Sequence, residues 1–293
     1  MNPKAQTAFM VPARIFLLSL LFAAVFSSGE ILSPAQSAAQ PAAQSAARSL
    51  PPEELTMLNL QVGWDDAVPS AQNPSGLRMS FTLIDTDAFV SYNLVHHVAR
   101  YRAFAPGAPA DQVYSLSSWK IGSEVQTIYD QVYVNAKGLL MLHKPRPDQQ
   151  DKDAVDSQDE IELSLEAARG EPVRYVLTTA DGKLLVPGTV VPYPIESKDG
   201  NCRLEARLGM PDAEAVLIYV DGLAPKADVP FQEISEGESH ASIFHTNPRG
   251  HAAAVDLPFV VSKAAGILKV SVATKGCTAT VEIPWGKDSY HAQ

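Results

Sequence analysis

The chain has 293 residues, 46% of them hydrophobic and 19% charged, with 23 basic residues against 33 acidic ones and a net charge of −10. A balance this acidic argues against nucleic acid or an anionic membrane surface as partner, because both require a basic face that displaces counterions. It suits a well-solvated surface, or a basic or cation-bridged partner.

Lys4 and Arg14 precede an unbroken apolar run at 15–26 (IFLLSLLFAAVF), which is the layout of a signal peptide. The run falls short of the roughly 20 residues a bilayer-spanning helix needs, and Ser27, Ser28, Gly29 and Glu30 end it. The expectation is a signal peptide within 1–39, cut between Gly29 and Ala39, with no stable transmembrane segment afterwards and a periplasmic or secreted product. No cysteine stands near the cut, which argues against lipid attachment. Cleavage at Ala39 removes Lys4, Arg14 and Glu30, so the mature charge moves by one unit from −10 to about −11. Residues 33–48 (SPAQSAAQPAAQSAAR) carry almost nothing to bury, and Pro41 interrupts any helix. Residues 40–53 therefore read as a flexible tether.

From Leu77 onward, apolar residues recur at a spacing of two or in short runs rich in Val, Ile, Leu, Tyr and Thr, broken by Gly, Pro or Asn. That pattern predicts many short strands, among them 79–84, 112–119, 160–165, 173–179, 215–220 and 268–274. The one serious helical candidate, 92–104 (YNLVHHVARYRAF), also alternates as a strand, and its end at 99–104 is assigned as one. An internal repeat divides the chain. Residues 130–142 (DQVYVNAKGLLML) and 242–257 (SIFHTNPRGHAAAVDL) each place an Asn-x-x-Gly turn between apolar segments. Gly and Pro precede each block, an Ala-Ala element with Gly follows it, and each half closes on a strand with proline and an aromatic (VVPY at 190–193, VEIPW at 281–285).

The fold class expected is all-β: two tandem immunoglobulin-like β-sandwiches, at 54–195 and 196–293. The boundary sits in the polar, turn-forming Lys198, Asp199, Gly200 and Asn201. The second unit has the size of an immunoglobulin-like sandwich. The first is longer, partly through 145–159 (PRPDQQDKDAVDSQD), an acidic stretch without apolar periodicity that reads as an exposed loop.

The chain has two cysteines, Cys202 and Cys277. In an oxidising compartment they are expected to be bonded, linking the first strand of the second unit to the region between its last two. With no C-x-x-C spacing and no third thiol, a redox role is not expected. The spacing departs from the antibody domains' B–F bridge, so their detailed topology is not implied.

Several motifs carry a resemblance. CRLE at 202–205, VLIYVDGL at 216–223, LPF at 257–259, Cys277, PWG at 284–286 and SYH at 289–291, with VPYPI at 191–195 before the first cysteine, resemble a family of uncharacterised secreted bacterial proteins with a C-terminal immunoglobulin-like sandwich ending in a Cys…PWG motif. The resemblance covers about the last two-thirds of the chain and implies compartment and architecture, with no activity attached.

The search for chemistry nominates no catalytic, cofactor-binding or metal-ligating residue. His240, His245 and His251 are close in sequence, and a strand pair around 247–250 could join two of them. Their spacings match no standard zinc pattern, so histidines on a hairpin surface are the preferred reading. His96 and His97 face opposite ways on a strand. Asp148, Asp151, Asp153, Asp156, Asp159 and Glu160 could hold calcium, yet lack the spacing of a calcium loop and read as a solvated run. Asp85 and Asp87 are placed in a turn. Trp64, Trp119 and Trp285 could line a sugar site, with core packing preferred, above all for Trp285. No G-x-S-x-G elbow is present. The leading expectation is a non-enzymatic extracytoplasmic binding or structural module with a protein or cell-surface partner. A calcium-dependent or carbohydrate-binding protein, and a hydrolase with its site between the two units, are the alternatives.

Overall fold

The computed structural model describes residues 52–65, 76–91, 94–142, 159–287 and 289. The expected signal peptide, most of the expected tether and nearly all of the acidic stretch lie outside the described residues. The chain from Leu50 to Gln293 forms one compact unit. It opens with a helix that the sequence reading missed, α1 (Pro52–Asp65), and continues almost entirely in antiparallel strands.

Helix α1 starts where Pro52 supplies a preset backbone angle and Glu53 and Glu54 complement the positive end of the helix dipole. At 14 residues it is marginal on its own, and tertiary contacts hold it. Leu58 is fully buried against Ala215, Leu217 and Tyr219, and the Gln61 side-chain amide donates to the Gly209 carbonyl at 2.8 Å. Leu58, Gln61 and Asp65 recur at helical spacing with the partly buried Val62 beside them, so one face does most of the docking.

Two groups of strands follow. The first contains β1 (Ser80–Ser91), β2 (Leu94–Phe104), β3 (Tyr114–Lys120), β4 (Gln126–Val134), β5 (Leu140–Met141), β6 (Glu162–Glu166), β7 (Val173–Thr179) and β8 (Leu185–Val190). They pair in the orders β1-β2-β6 and β5-β4-β3-β7-β8. The second contains β9 (Ile195–Asp199), β10 (Cys202–Leu208), β11 (Val216–Asp221), β12 (Asp228–Ser235), β13 (Glu238–His245), β14 (Ala252–Asp256), β15 (Ala265–Thr274) and β16 (Cys277–Gly286). Their orders are β9-β10-β11-β14 and β13-β12-β15-β16. Without the extra strands β5 and β9, the two groups share one plan. A sheet of first, second and fifth strands faces a sheet in the order fourth, third, sixth, seventh.

Each facing pair of sheets closes over its own apolar cluster. Tyr101 and Ala103 of β2, Leu163 and Leu165 of β6, Leu116 of β3, and Tyr175 and Leu177 of β7 belong to one. Leu204 and Ala206 of β10, Ile218 and Val220 of β11, Phe231 of β12 and Val270 of β15 belong to the other. Along β16, Cys277, Ala279, Val281, Ile283 and Trp285 alternate inward with period two. Trp285 is wholly buried, donates to the Ser235 hydroxyl at 3.0 Å and meets Phe259 edge-on. It is a core residue, as the preferred reading had it.

The two Asn-x-x-Gly segments are the same turn. Asn135 Oδ1 accepts from the Lys137 and Leu139 amides at 2.9 and 3.0 Å, and Asn247 Oδ1 accepts from the Arg249 and His251 amides at 2.8 and 3.2 Å. Gly138 and Gly250 both take positive φ. At Gly250 a Cβ would lie 1.9 Å from the Leu223 carbonyl oxygen, so only glycine closes the turn. One expectation fails here. The second turn is not a hairpin, because β13 pairs with β12 while β14 pairs with β11 in the facing sheet. The segment at 92–104 extends as strand beyond its assigned end, through all of β2. Asp85 and Asp87 lie inside β1 rather than in a turn, at and after a bulge, where Arg100 donates to Asp85 at 2.7 Å. Residues 200 and 201 form the expected turn, a tight hairpin that sets Asp199 opposite Cys202.

Cys202 and Cys277 are joined, their Cα atoms 5.5 Å apart, so the bond ties β10 to β16 across the two facing sheets. Among the described residues no helix is long and apolar enough to cross a membrane. Replacing both cysteines (Cys202→Ala with Cys277→Ala) is expected to lower the unfolding free energy by roughly 4 kcal/mol, the chain-entropy value for a loop of this length. Urea titration of the oxidised parent and the variant measures the difference, and coincident midpoints would show the bond to be thermodynamically idle.

Candidate functional site

The residue on which the elements converge is Asp65, the last of α1, whose side chain is 1% exposed. Arg174 of β7, itself 0% exposed, reaches it with two nitrogens, Nε to Oδ1 at 3.2 Å and a terminal nitrogen to Oδ2 at 2.9 Å. Thr189 of β8 donates to Oδ1 at 2.7 Å, and Tyr219 of β11 donates to Oδ2 at 3.0 Å. Arg207 of β10 stands 3.2 Å from Oδ2. Both groups of strands therefore hold the same carboxylate.

Further charges adjoin Arg207. Glu205, on the same strand as Arg207, accepts from it at 2.8 and 3.0 Å and from Arg203 at 2.9 Å. The guanidinium of Arg174 lies 5.0 Å from the Trp119 ring centre, and that of Arg207 lies 4.6 Å from that of Tyr219, so each cation also rests on an aromatic face. Burial alone raises the Asp65 carboxyl. Arg174 first, Arg207 next, and the hydrogen bonds from Arg174 and Thr189 more than reverse this, leaving its pKa below the ordinary value. Burial and the adjacent Asp65 charge push the Tyr219 phenol up, so it stays a neutral donor.

Asp65, Arg207 and Tyr219 form the floor of a cleft of about 230 Å³, and Asp221, Arg249 and His251 form its wall. The turn at 247–250 presents the last two. His251 Nδ1 lies 2.6 Å from Asp221, and its ring stacks at 5.9 Å on Tyr219. The hydrogen bond from His251 lowers the Asp221 pKa and outweighs burial, which raises it. Among the described residues the lining carries no serine, threonine or cysteine, and the Tyr219 hydroxyl is held by Asp65. The cleft thus offers polar, charge-balanced recognition with an oriented imidazole.

The histidines singled out from sequence are kept apart. His251 is in the cleft. His245, exposed at the end of β13, pairs with Asp228 at 2.7 Å. His240 lies opposite Glu233 in the β12–β13 register. Their dispersal follows from the turn: it sends β14, with His251 before it, into the other sheet. His96 stacks on Phe89 and meets Glu166 at 2.5 Å, while His97 turns the other way, towards Tyr193. Of the acidic stretch only Asp159 and Glu160 are described, and Glu160 pairs with Arg102 at 2.8 Å. Among the described residues no three His, Cys, Asp or Glu side chains converge to hold a metal ion. Trp119 supports Arg174, and Trp64 donates weakly to the Gly188 carbonyl at 3.5 Å.

The sequence reading missed Asp65, Arg174, Arg207 and Tyr219. A signal was present: Arg174 inside VRYVLTT, and Glu205 with Arg207 inside CRLEARL, are charges within strands rich in core residues. Such charges imply buried partners. Nothing local tells that the partner is Asp65, more than a hundred residues away.

Asp65→Asn leaves the buried Arg174 without its counter-charge and is expected to lower stability by about 3–5 kcal/mol, read by denaturant titration. Because the native pKa of Asp65 lies below the unfolded value of about 3.9, its contribution is complete above that pH and is lost as pH falls through the native value. The substitution should therefore also flatten the acid limb of the stability profile. A second carboxylate behaves oppositely. Burial, followed by the charge of Asp256, pushes Glu233 up to about 7. The native state then keeps a proton that the unfolded chain has released, so stability falls as pH rises from about 4 towards 7. Glu233→Gln should remove that fall, and an unchanged profile between the two proteins would contradict the assignment. No protein-family model matches the chain, and no curated protein matches it, so the reading of the site rests on this geometry.

Proposed function

We propose that the protein is an exported, non-enzymatic binding or structural module of two tandem immunoglobulin-like β-sandwiches, 54–195 and 196–293, working in the periplasm or outside the cell. The observation that carries this reading is the strand order used twice, with both groups of strands gripping Asp65. Two sandwiches fixed to each other by buried charge make a stiff body suited to presenting a surface to a partner. The disulfide favours a compartment where thiols stay oxidised. The apolar run at 15–26 and the Cys…PWG resemblance support the same location. A chain this acidic favours a protein or cell-surface partner over nucleic acid.

One observation favours a second reading, hydrolysis. Asp221 orients His251 in the cleft between β11 and the turn at 247–250, and an imidazole so held could activate water. The hydroxyl beside it is committed to Asp65, so the binding reading is preferred.

Two measurements test the proposal. Expressed in a bacterium with its own leader, the protein should collect outside the cytoplasm with a new N terminus after a residue between Gly29 and Ala39. Retention in the cytoplasm with the leader intact would refute export. Incubated with chromogenic esters, phosphates and glycosides, the exported protein should give no turnover that disappears in His251→Ala. Turnover lost in that variant would replace the binding reading with the hydrolase.

A further inference from the structure

A second cavity, of about 330 Å³, opens where the first group of strands hands over to the second. It is lined by His97 of β2, Arg169 of the loop between β6 and β7, and Tyr193 and Pro194 between β8 and β9. It differs in kind from the Asp65 cleft, where the floor groups bond to one another. Its wall is mostly apolar. Tyr193 meets the His97 ring edge-on with centroids 6.0 Å apart, and Pro194 continues the same surface.

Two polar groups of the lining residues have no partner among the described residues. Arg169 is exposed, and among the described residues no carboxylate or carbonyl pairs with it. The Tyr193 hydroxyl is closed off from solvent and has no described hydrogen-bond partner. Burial pushes this phenol up, so it is a neutral donor.

The frame holding both groups is rigid. The Gly170 amide donates to the Tyr193 carbonyl at 2.7 Å, and the Gly170 carbonyl accepts from the Leu208 amide at 2.9 Å. The turn is closed by Glu171, whose amide donates to the Ala168 carbonyl and whose carboxylate accepts from the Ala168 amide. Gly170 has φ +78, and a Cβ there would lie 2.8 Å from Ile195 Cδ1, so the turn packs tightly on β9. Arg169 and Tyr193 are therefore presented together by backbone bonds, an arrangement that limits the ordering lost on binding.

We infer that this cavity binds a small carboxylate joined to an aromatic body, with Arg169 taking the carboxylate and Tyr193, His97 and Pro194 enclosing the ring. A planar guanidinium pairs with a carboxylate through two parallel hydrogen bonds. Aromatic and proline faces supply area for a flat ring, and the volume lies at the small end of the range of ligand sites. The chemistry is shared by a free aromatic acid and by the C terminus of a peptide ending in an aromatic residue. The inference is independent of the cleft at Asp65.

Isothermal titration of the exported protein with 3-phenylpropionate, its primary amide and N-acetyl-Ala-Phe tests this. The acid should bind at least about tenfold more tightly than the amide, and Arg169→Gln should abolish that ratio. Arg169 is exposed, so the variant should keep the parent's melting temperature. Arg249→Gln, in the other cleft, should keep the ratio. Tighter binding of the dipeptide names the peptide terminus as the source, and tighter binding of 3-phenylpropionate names the free acid. Equal affinity for acid and amide, no binding of either acid, or a ratio that survives Arg169→Gln would overturn the inference.

Discussion

A carboxylate removed from water is far more expensive to keep ionised than one at the surface, and Asp65 is kept ionised by groups from four strands at once. Arg174 and Thr189 come from the first group of strands, Arg207 and Tyr219 from the second. Desolvation of such a set can equal or exceed its Coulomb gain, so its net effect on stability against an apolar replacement is modest. What it enforces is geometry. Helix α1 can dock only where all these partners reach one carboxylate, and the two groups of strands can join only in the orientation that supplies both arginines. Glu205 completes the balance by accepting from Arg207 and Arg203, so the interior carries alternating signs.

The repeated plan sets what lies around that centre. One strand order, used twice, gives two pairs of facing sheets, each with its own apolar cluster. The same asparagine-capped turn recurs in both, at 135–138 and 247–250. In the second group that turn carries the chain from one sheet to the other, which places Arg249 and His251 over the Asp65 floor and leaves His240 and His245 on β13. A connection that serves the fold thereby also furnishes the rim of the cleft.

The two cavities differ in how far their polar groups are already engaged. Around Asp65 the floor groups satisfy one another, a condition that rigidifies an interior and fixes a single arrangement. Beside Tyr193 the backbone is also hydrogen-bonded in place, while Arg169 and the phenol hydroxyl have no partner among the described residues. Of the two polar sites, the one at Asp65 joins both groups of strands, and the one beside Tyr193 carries the exposed Arg169.

Much of the β architecture was legible in the chain. Apolar runs and period-two spacing marked β7 to the residue and β11 and β15 closely: β15 alternates between core and solvent, whereas β11 is buried on both faces because Leu58 of α1 covers Leu217 and Tyr219. The Asn-x-x-Gly spacing marked both turns, because glycine alone tolerates the positive φ and the close carbonyl there. The two cysteines marked the bond between β10 and β16. Helix α1 was legible in principle from Pro52, Glu53 and Glu54, but its docking face is narrow and half polar, built on Leu58, Gln61, Val62 and Asp65. Everything that depends on contact across long stretches of sequence was decided by the tertiary structure. Sequence marks Arg174 as a charge within a strand; only folding ends α1 at Asp65 and brings Arg174 and Arg207 within reach of its carboxylate. The reason is physical: alternation and turn chemistry act through neighbours, whereas a buried charge is stabilised by whichever partners the packing of sheets delivers to it.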